Sequence, residues 1–369
     1  MIKREIEDKI RGKLGKGKAI VIYGARQVGK TTLLHQIFDD AEDVLWLNGD
    51  LEATRSRFDH LSVESAKTII GGHRTVIIDE AQRIEDIGLK LKILQDNFGT
   101  TTQFVVTGSS SFELANKINE PMTGRIWHFQ LYPLKLSELV YAHGIISEYD
   151  ALSNRLIYGS YPDVVTHQEF AEEIVTNLSG ENLYKDVINL AEIIKTDRLH
   201  ILLKALAFQI GSQVSINELS NLVGLDNKTV DKYISLLEQA FIIFRLPSYG
   251  KNLRNELKSS RKIYFFDVGI RNALIGDFRP VDSRQDIGNL FENYIIAEYK
   301  KQNLGNLYFW RTSQGQEVDL LHEQYGELSA VEVKYNEHRS ATLPKTFVEA
   351  YHPVKETFIN RKNYLDLLS

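Results

Sequence analysis

The stretch GARQVGKTT, residues 24–32, constrains this chain more than any other. It follows the apolar run AIVIY (19–23), precedes the helical pattern TLLHQIF, and fits G-x-x-x-x-G-K-T in a strand–loop–helix context. Gly24 and Gly29 let the chain curl so that backbone N–H groups point inward at phosphate oxygens, and the following helix adds its positive N-terminal end. The run Gly24, Ala25, Arg26, Gln27, Val28, Gly29, Lys30, Thr31, Thr32 is therefore read as a phosphate cradle. Lys30 is expected to reach the β and γ phosphates of ATP, and the Thr31 hydroxyl to ligate Mg²⁺.

A second piece lies about fifty residues on. TVIIDEAQ places Asp79 at the end of an apolar strand, suited to holding Mg²⁺ through water, with Glu80 beside it to polarise an attacking water. FVVTGSS puts Thr107 and Ser109 at the end of the next strand. There they read either as sensors of the γ-phosphate or as helix-capping hydroxyls. Arg125, in TGRIW, reads either as a finger reaching a neighbouring subunit's nucleotide or as a surface-pairing arginine.

The apolar runs AIVIY, DVLWLN (43–48), TVIIDE (75–80), QFVVTG (103–108) and IWHFQL (126–131) alternate with amphipathic stretches, and all five read as buried strands of a parallel α/β sheet. With 369 residues, several domains are expected: 1–135 around the phosphate loop, a helical lid or linker over 136–195, a third segment over 196–266 and a fourth over 267–369. The chain has no cysteine, which excludes disulfides, thiolate zinc and a Cys nucleophile. No apolar run approaches the roughly 18 residues of a bilayer span, and the N-terminal MIKREIEDK lacks the apolar core of a signal peptide. A cytoplasmic protein without membrane attachment is expected. The net charge of −5 means that any nucleic-acid contact must come from a local patch.

One such patch follows a helix-turn-helix pattern in SINELSNLVGLDNKTVDKYISLLEQ (215–239). Ser215 with Glu218 forms a capping box, Gly224 ends the first helix and Asp226 caps the second. Leu219, Leu222, Val230, Ile234 and Leu237 fall on the inward faces, leaving Asn227, Lys228, Thr229 and Lys232 outward. The strand-like runs AFIIFRL and RKIYFFD resemble the two strands of a wing. Between and within them, Arg245, Lys251, Arg254, Lys258, Arg261 and Lys262 stand against one acid, Glu256, which suits DNA phosphates. The alternative for such a module is a lid or a protein-docking surface.

The C-terminal segment reads helix, strand, strand, strand and helical tail. In a strand, residues two apart share a face, so Glu317 and Asp319 point one way in EVDLLHE, and Glu332 and Lys334 one way in VEVK. Paired as neighbours, these strands bring together two carboxylates suited to Mg²⁺ and a lysine to orient or help deprotonate a water. Polar outer faces of half-exposed strands give the same pattern.

In this order GARQVGKTT, IIDEAQ, VVTGSS, the GR at 124–125, YGSYPD, the helix-turn-helix, KIYFFDVGI, GNLFENYI, YFWRTSQGQEVDL and VEVK resemble, over essentially the whole chain, the bacterial and archaeal AAA+-type ATPases with a C-terminal PD-(D/E)XK-like domain. The resemblance implies an α/β chain: a P-loop (ASCE, AAA+-like) parallel-sheet domain, a winged helix-turn-helix and a restriction-endonuclease-like C-terminal α/β domain. It implies ATP and Mg²⁺ as cofactors, with Gly29, Lys30, Thr31, Asp79 and Glu80 as ATPase residues. It also implies a nuclease-type constellation of Glu292, Asp319, Glu332 and Lys334 with DNA as partner. A trans-acting Arg125 would further require a homo-oligomer.

Overall fold

The five apolar runs form one all-parallel sheet in the order β2-β3-β4-β1-β5 (β1 Ala19–Tyr23, β2 Val44–Asn48, β3 Thr75–Asp79, β4 Gln103–Gly108, β5 Ile126–Gln130). The computed structural model describes residues 2–39, 41–108, 122–180, 196–250, 261–303, 305–337 and 342–368. β1, β3 and β4 are interior and almost wholly buried, as runs rich in Val and Ile should be. The expectation of five buried strands fails at the two edges. Trp46 on β2 is 36% exposed, and on β5 only Ile126 is buried, the rest being half-buried or exposed, because an edge strand is covered on fewer sides. Parallel order places every C-terminal strand end on one edge, so the loops after β1 and β3 open on that same edge, to either side of β4.

The chain packs as two compact units, and the parallel sheet lies in the first. The second holds most of the chain after Leu134, so the three later segments delimited from sequence share one unit. In it, the helices Thr196–Phe208, Ile216–Val223 and Asn227–Gln239 accompany a small antiparallel sheet ordered β6-β8-β7 (β6 Gln213–Val214, β7 Ile243–Pro247, β8 Arg261–Phe265). The Ser215 hydroxyl accepts from Glu218 N, Gly224 takes the left-handed conformation (φ 66°), and Asp226 accepts from Thr229 N. Leu222 is a correction: it is 58% exposed, and Val223 takes the buried position instead.

A second sheet in this unit runs β12-β11-β10-β9 (β9 Asn306–Arg311, β10 Glu317–Gln324, β11 Glu327–Val333, β12 Lys355–Ile359). β9–β11 form an antiparallel meander, and β12 pairs parallel to β11. The tail was expected to be helical. It holds the helix Lys345–Tyr351 and then β12, whose KET start gave no apolar alternation to reveal it. The helix Ile287–Gln302 is tied to β8 by Asn293, whose amide accepts from Phe265 N (2.9 Å) and donates to Phe265 O (2.8 Å), as a neighbouring strand would.

Two sequence blocks, YGSYPD and FFDVGI, lock together in the same unit. The buried Asp267 carboxylate accepts from Ser160 N (2.7 Å), Gly269 N (2.9 Å) and Ile270 N (3.2 Å), capping the helix Val268–Ile275 and holding the 159–160 turn. A Cβ on Gly159 (φ 80°) would lie 2.0 Å from Asp267 Oδ1, so only glycine fits there. Asn272 completes the lock, donating to Leu156 O and Ile157 O.

Candidate functional site

The loop from Gly24 to Gly29 leaves β1 and enters the helix Lys30–Phe38 through left-handed backbone at Gln27 (φ 59°) and Gly29 (φ 92°). Its tightness comes from the neighbouring chain: a Cβ on Gly24 would meet Leu131 O at 2.2 Å. Ala25 and Val28 are buried supports; Gln27, Thr31 and Thr32 face outward, and Arg26 is half-buried. Lys30 is buried, and its ammonium donates to the carbonyls of Gly24 and Ala25 (2.9 Å each), so its charge is held inside the loop.

Beside the loop, Thr31 Oγ1 donates to Asp79 Oδ2 at 2.7 Å. The other Asp79 oxygen accepts from the Thr107 hydroxyl and from Glu80 N (3.1 Å). A hydroxyl and a carboxylate in direct contact are hard oxygen donors of the kind Mg²⁺ takes, the remaining positions being filled by phosphate and water. Glu80 adopts left-handed backbone (φ 50°), and its carboxylate accepts from the Gln82 side chain. This strained turn aims the glutamate while β3 fixes the aspartate.

Thr107 was expected among the nucleotide contacts. It is fully buried behind Asp79, so it positions the carboxylate from the far side. Replacing Thr107 with valine should therefore leave ATP binding nearly intact but raise the Mg²⁺ needed for half-maximal turnover by about tenfold, as measured in a Mg²⁺ titration of steady-state rate. Ser109 lies outside the described residues. Within its own chain Arg125 follows the surface-pairing reading. It precedes β5 and so sits at the opposite end of the sheet from the phosphate loop, where its guanidinium pairs with Asp96 (2.6 and 3.3 Å). It makes no contribution to its own chain's loop. Sequence reasoning missed Arg4, a buried side chain that donates to Val28 O (2.7 Å) and Tyr132 O (2.6 Å) and so braces the loop from behind. No local motif marks it.

In the second unit, β10 and β11 bring Asp319, Glu332 and Lys334 together. Lys334 Nζ lies 2.6 Å from Glu332 Oε1 and 3.1 Å from Asp319 Oδ2, which also accepts from Val333 N (2.9 Å). The second Glu332 oxygen, Oε2, is buried and has no hydrogen-bond partner. Burial raises the Glu332 carboxyl above its ordinary range, with the Asp319 charge adding to the effect. Burial opposes the Lys334 charge, but Asp319 and Glu332 outweigh it and hold the ammonium above the usual lysine range. In this arrangement the Lys334 ammonium, paired with both carboxylates, is placed where it can orient a water or phosphate oxygen.

Glu292 does not complete a three-carboxylate metal set. Among the described residues no group of three or more His, Asp or Glu side chains is arranged to hold a metal ion. Glu292 is instead engaged by Lys262 (3.1 Å) and by the Tyr264 hydroxyl (2.6 Å), both from β8, and Lys262 also pairs with Glu317. Burial, reinforced by the Asp319 charge and opposed by Lys262, pushes the Glu292 carboxyl up to about 7. Asp319 and Glu332 remain a pair of hard oxygen donors with one unsatisfied lone-pair site, which fits a cation held by two carboxylates and water.

The expected DNA surface is smaller than the sequence count. Lys228 and Lys232 are exposed; Asn227 is bonded to Asn217, and the half-buried Thr229 hydroxyl donates to Asp226 (2.6 Å). Arg245 pairs with Asp231 (2.9 Å) and Glu238 (3.2 Å), while Lys262 is buried, so two of the six basic residues turn inward to satisfy acids. Lys251, Arg254 and Lys258 lie outside the described residues.

The first unit is thus defined as an α/β P-loop ATPase-type domain, with β4 inserted between the phosphate-loop strand and the Asp-Glu strand. Comparison with known proteins agrees: residues 16–140 match the AAA domain, and residues 149–280 and 287–365 match domains of unknown function (DUF8612 and DUF4143). The chain is 26% identical over 353 residues to an uncharacterized protein of Haemophilus influenzae, covering 88% of this chain and 85% of that one. It is 23% identical over 392 residues to the uncharacterized protein MJ1544 of Methanocaldococcus jannaschii (98% and 84%). Its fold is similar to that of the Walker-type ATPase PABY2304 of Pyrococcus abyssi, with a TM-score of 0.50 at 14% identity over 74% of this chain and 96% of that one. Among the described residues, no helix is long and apolar enough to cross a membrane.

Proposed function

We propose that the protein is a Mg²⁺-dependent ATPase that acts on DNA, contacting it through a winged helix and cutting it at the Asp319–Glu332–Lys334 cluster. The observation that carries the ATPase part is the direct line from Thr31 through Asp79 to Thr107, with Glu80 on the adjoining turn. Loop amides and Lys30 bind the phosphates, and Thr31 and Asp79 would hold Mg²⁺, which neutralises charge developing on them. Glu80 orients a water for direct attack on the γ-phosphate, with no covalent intermediate.

The helices Ile216–Val223 and Asn227–Gln239, followed by β7 and β8, support the winged-helix reading, with Lys228 and Lys232 as phosphate contacts. In the cluster, Asp319 and Glu332 would hold a divalent cation that polarises a phosphodiester, while Lys334 positions the incoming water. Purified protein with Mg²⁺ or Mn²⁺ should cleave at least one of single-stranded, duplex and branched DNA, and the Asp319→Asn/Lys334→Ala variant should not. Cleavage that survives in the variant means another site or a contaminant. A second reading, a nucleotide-switched regulator that docks DNA or protein without cutting, is favoured by the two lysines already neutralising the carboxylates. Absence of cleavage on every substrate selects it.

A further inference from the structure

The C-terminal cluster contains four carboxylates, Glu292, Glu317, Asp319 and Glu332, and two lysines that divide them. The division is unequal. Lys334 is a third exposed and reaches its acids from the rim, whereas the Lys262 side chain is 1% exposed and lies between Glu292 and Glu317. Lys262 cannot withdraw: it belongs to β8, the middle strand of its sheet, paired to Gln213 on one side and Leu246 on the other. Tyr264, two residues on and on the same face, donates to Glu292, and Arg311 lies 3.3 Å from the second Glu317 oxygen. In the Glu292–Glu317 half both acids are therefore engaged by protein donors. The Asp319–Glu332 half differs, because Glu332 Oε2 is buried with no partner.

We infer that Lys262 is the resident cation of this cluster, standing where a second divalent ion would otherwise bind, so that the site takes a single Mg²⁺- or Mn²⁺-type ion on Asp319 and Glu332. The inference rests on the nuclease-type reading above and sharpens it to a one-ion site. An ammonium buried between two carboxylates satisfies them without needing a pool of free metal, and its tether gives it an effective concentration no free ion matches. A metal entering that half must displace a side chain with nowhere to go.

The test counts ions directly. In an Asp79→Asn background, which removes the carboxylate of the P-loop cation site, Mn²⁺ binding is followed by calorimetry and electron paramagnetic resonance without DNA or nucleotide. The expected result is one ion, none after Asp319→Asn/Glu332→Gln, and two after Lys262→Met. Two ions before the lysine is changed, or a count of one that Lys262→Met leaves unchanged, overturns the inference and leaves the nuclease-type reading standing. No ion in either protein overturns both. Lys262→Met strands two partly buried carboxylates; where it unfolds the protein without metal, refolding by millimolar Mn²⁺, followed by circular dichroism, is the supporting result. Failure to refold, where a Lys262→Met/Glu292→Gln/Glu317→Gln variant folds without metal, overturns the inference.

Discussion

Glu80→Gln is expected to bind ATP with near wild-type affinity and to lose turnover by about 10²–10⁴-fold, the range of a lost general base. The substitution keeps size and shape, and glutamine can still accept from Gln82, so the left-handed turn at residue 80 has no reason to move. What disappears is the charge that polarises water. Asp79 is untouched, with Thr31, Thr107 and Glu80 N still donating to it, so the Mg²⁺ position is preserved. Separate measurements of fluorescent-nucleotide binding and phosphate release distinguish this outcome. Parallel losses in both would mean that Glu80 supports the loop, and normal turnover would remove it from the mechanism.

The largest expected effect on stability is at Asp267. Alanine there removes the acceptor for three buried amides, those of Ser160, Gly269 and Ile270, and should destabilise the second unit by roughly 3–5 kcal/mol. Asparagine keeps an acceptor and should lose less. Burial, opposed by Lys301 and by the amide donors, raises the Asp267 carboxyl above its ordinary value. A raised folded-state value means that the native state binds the proton more tightly than the unfolded chain. The carboxyl's contribution is then fully present below about pH 4 and falls as pH rises toward the folded-state value. Urea unfolding should accordingly show the asparagine variant's deficit larger at pH 4 than at pH 7. A deficit that grows with pH would contradict this account of the lock.

The phosphate loop and the Asp-Glu turn were legible because their chemistry is local. Spacing within nine residues fixes the cradle, and a strand end fixes Asp79. Asp319, Glu332 and Lys334 were legible as a convergence through two-residue alternation once β10 and β11 were taken as neighbours. Lys262 was not. The sequence sets it beside Arg261 in a basic run, and only the packing of β8 against the Glu292 helix and the start of β10 turns one lysine inward. The same holds for Arg245, whose partners Asp231 and Glu238 lie on a different element. Of the two readings of Arg125, strand order alone gives its place within its own chain. In a parallel sheet, a residue ahead of a strand lies at the edge away from the loops, and that polarity was available from the strand order alone. Arg4 had no signal at all, since a single arginine that binds carbonyls 24 and 128 residues away leaves no pattern.

The central claim, that the first unit hydrolyses ATP with Mg²⁺ at this loop, is tested most directly by steady-state phosphate release from purified wild-type protein beside Lys30→Ala. The account predicts Mg²⁺-dependent release by wild type, abolished by chelation, and a fall of about 10²-fold or more in the variant, which lacks the ammonium held at Gly24 and Ala25. Equal rates in the two proteins, or wild-type release indifferent to Mg²⁺, would contradict it.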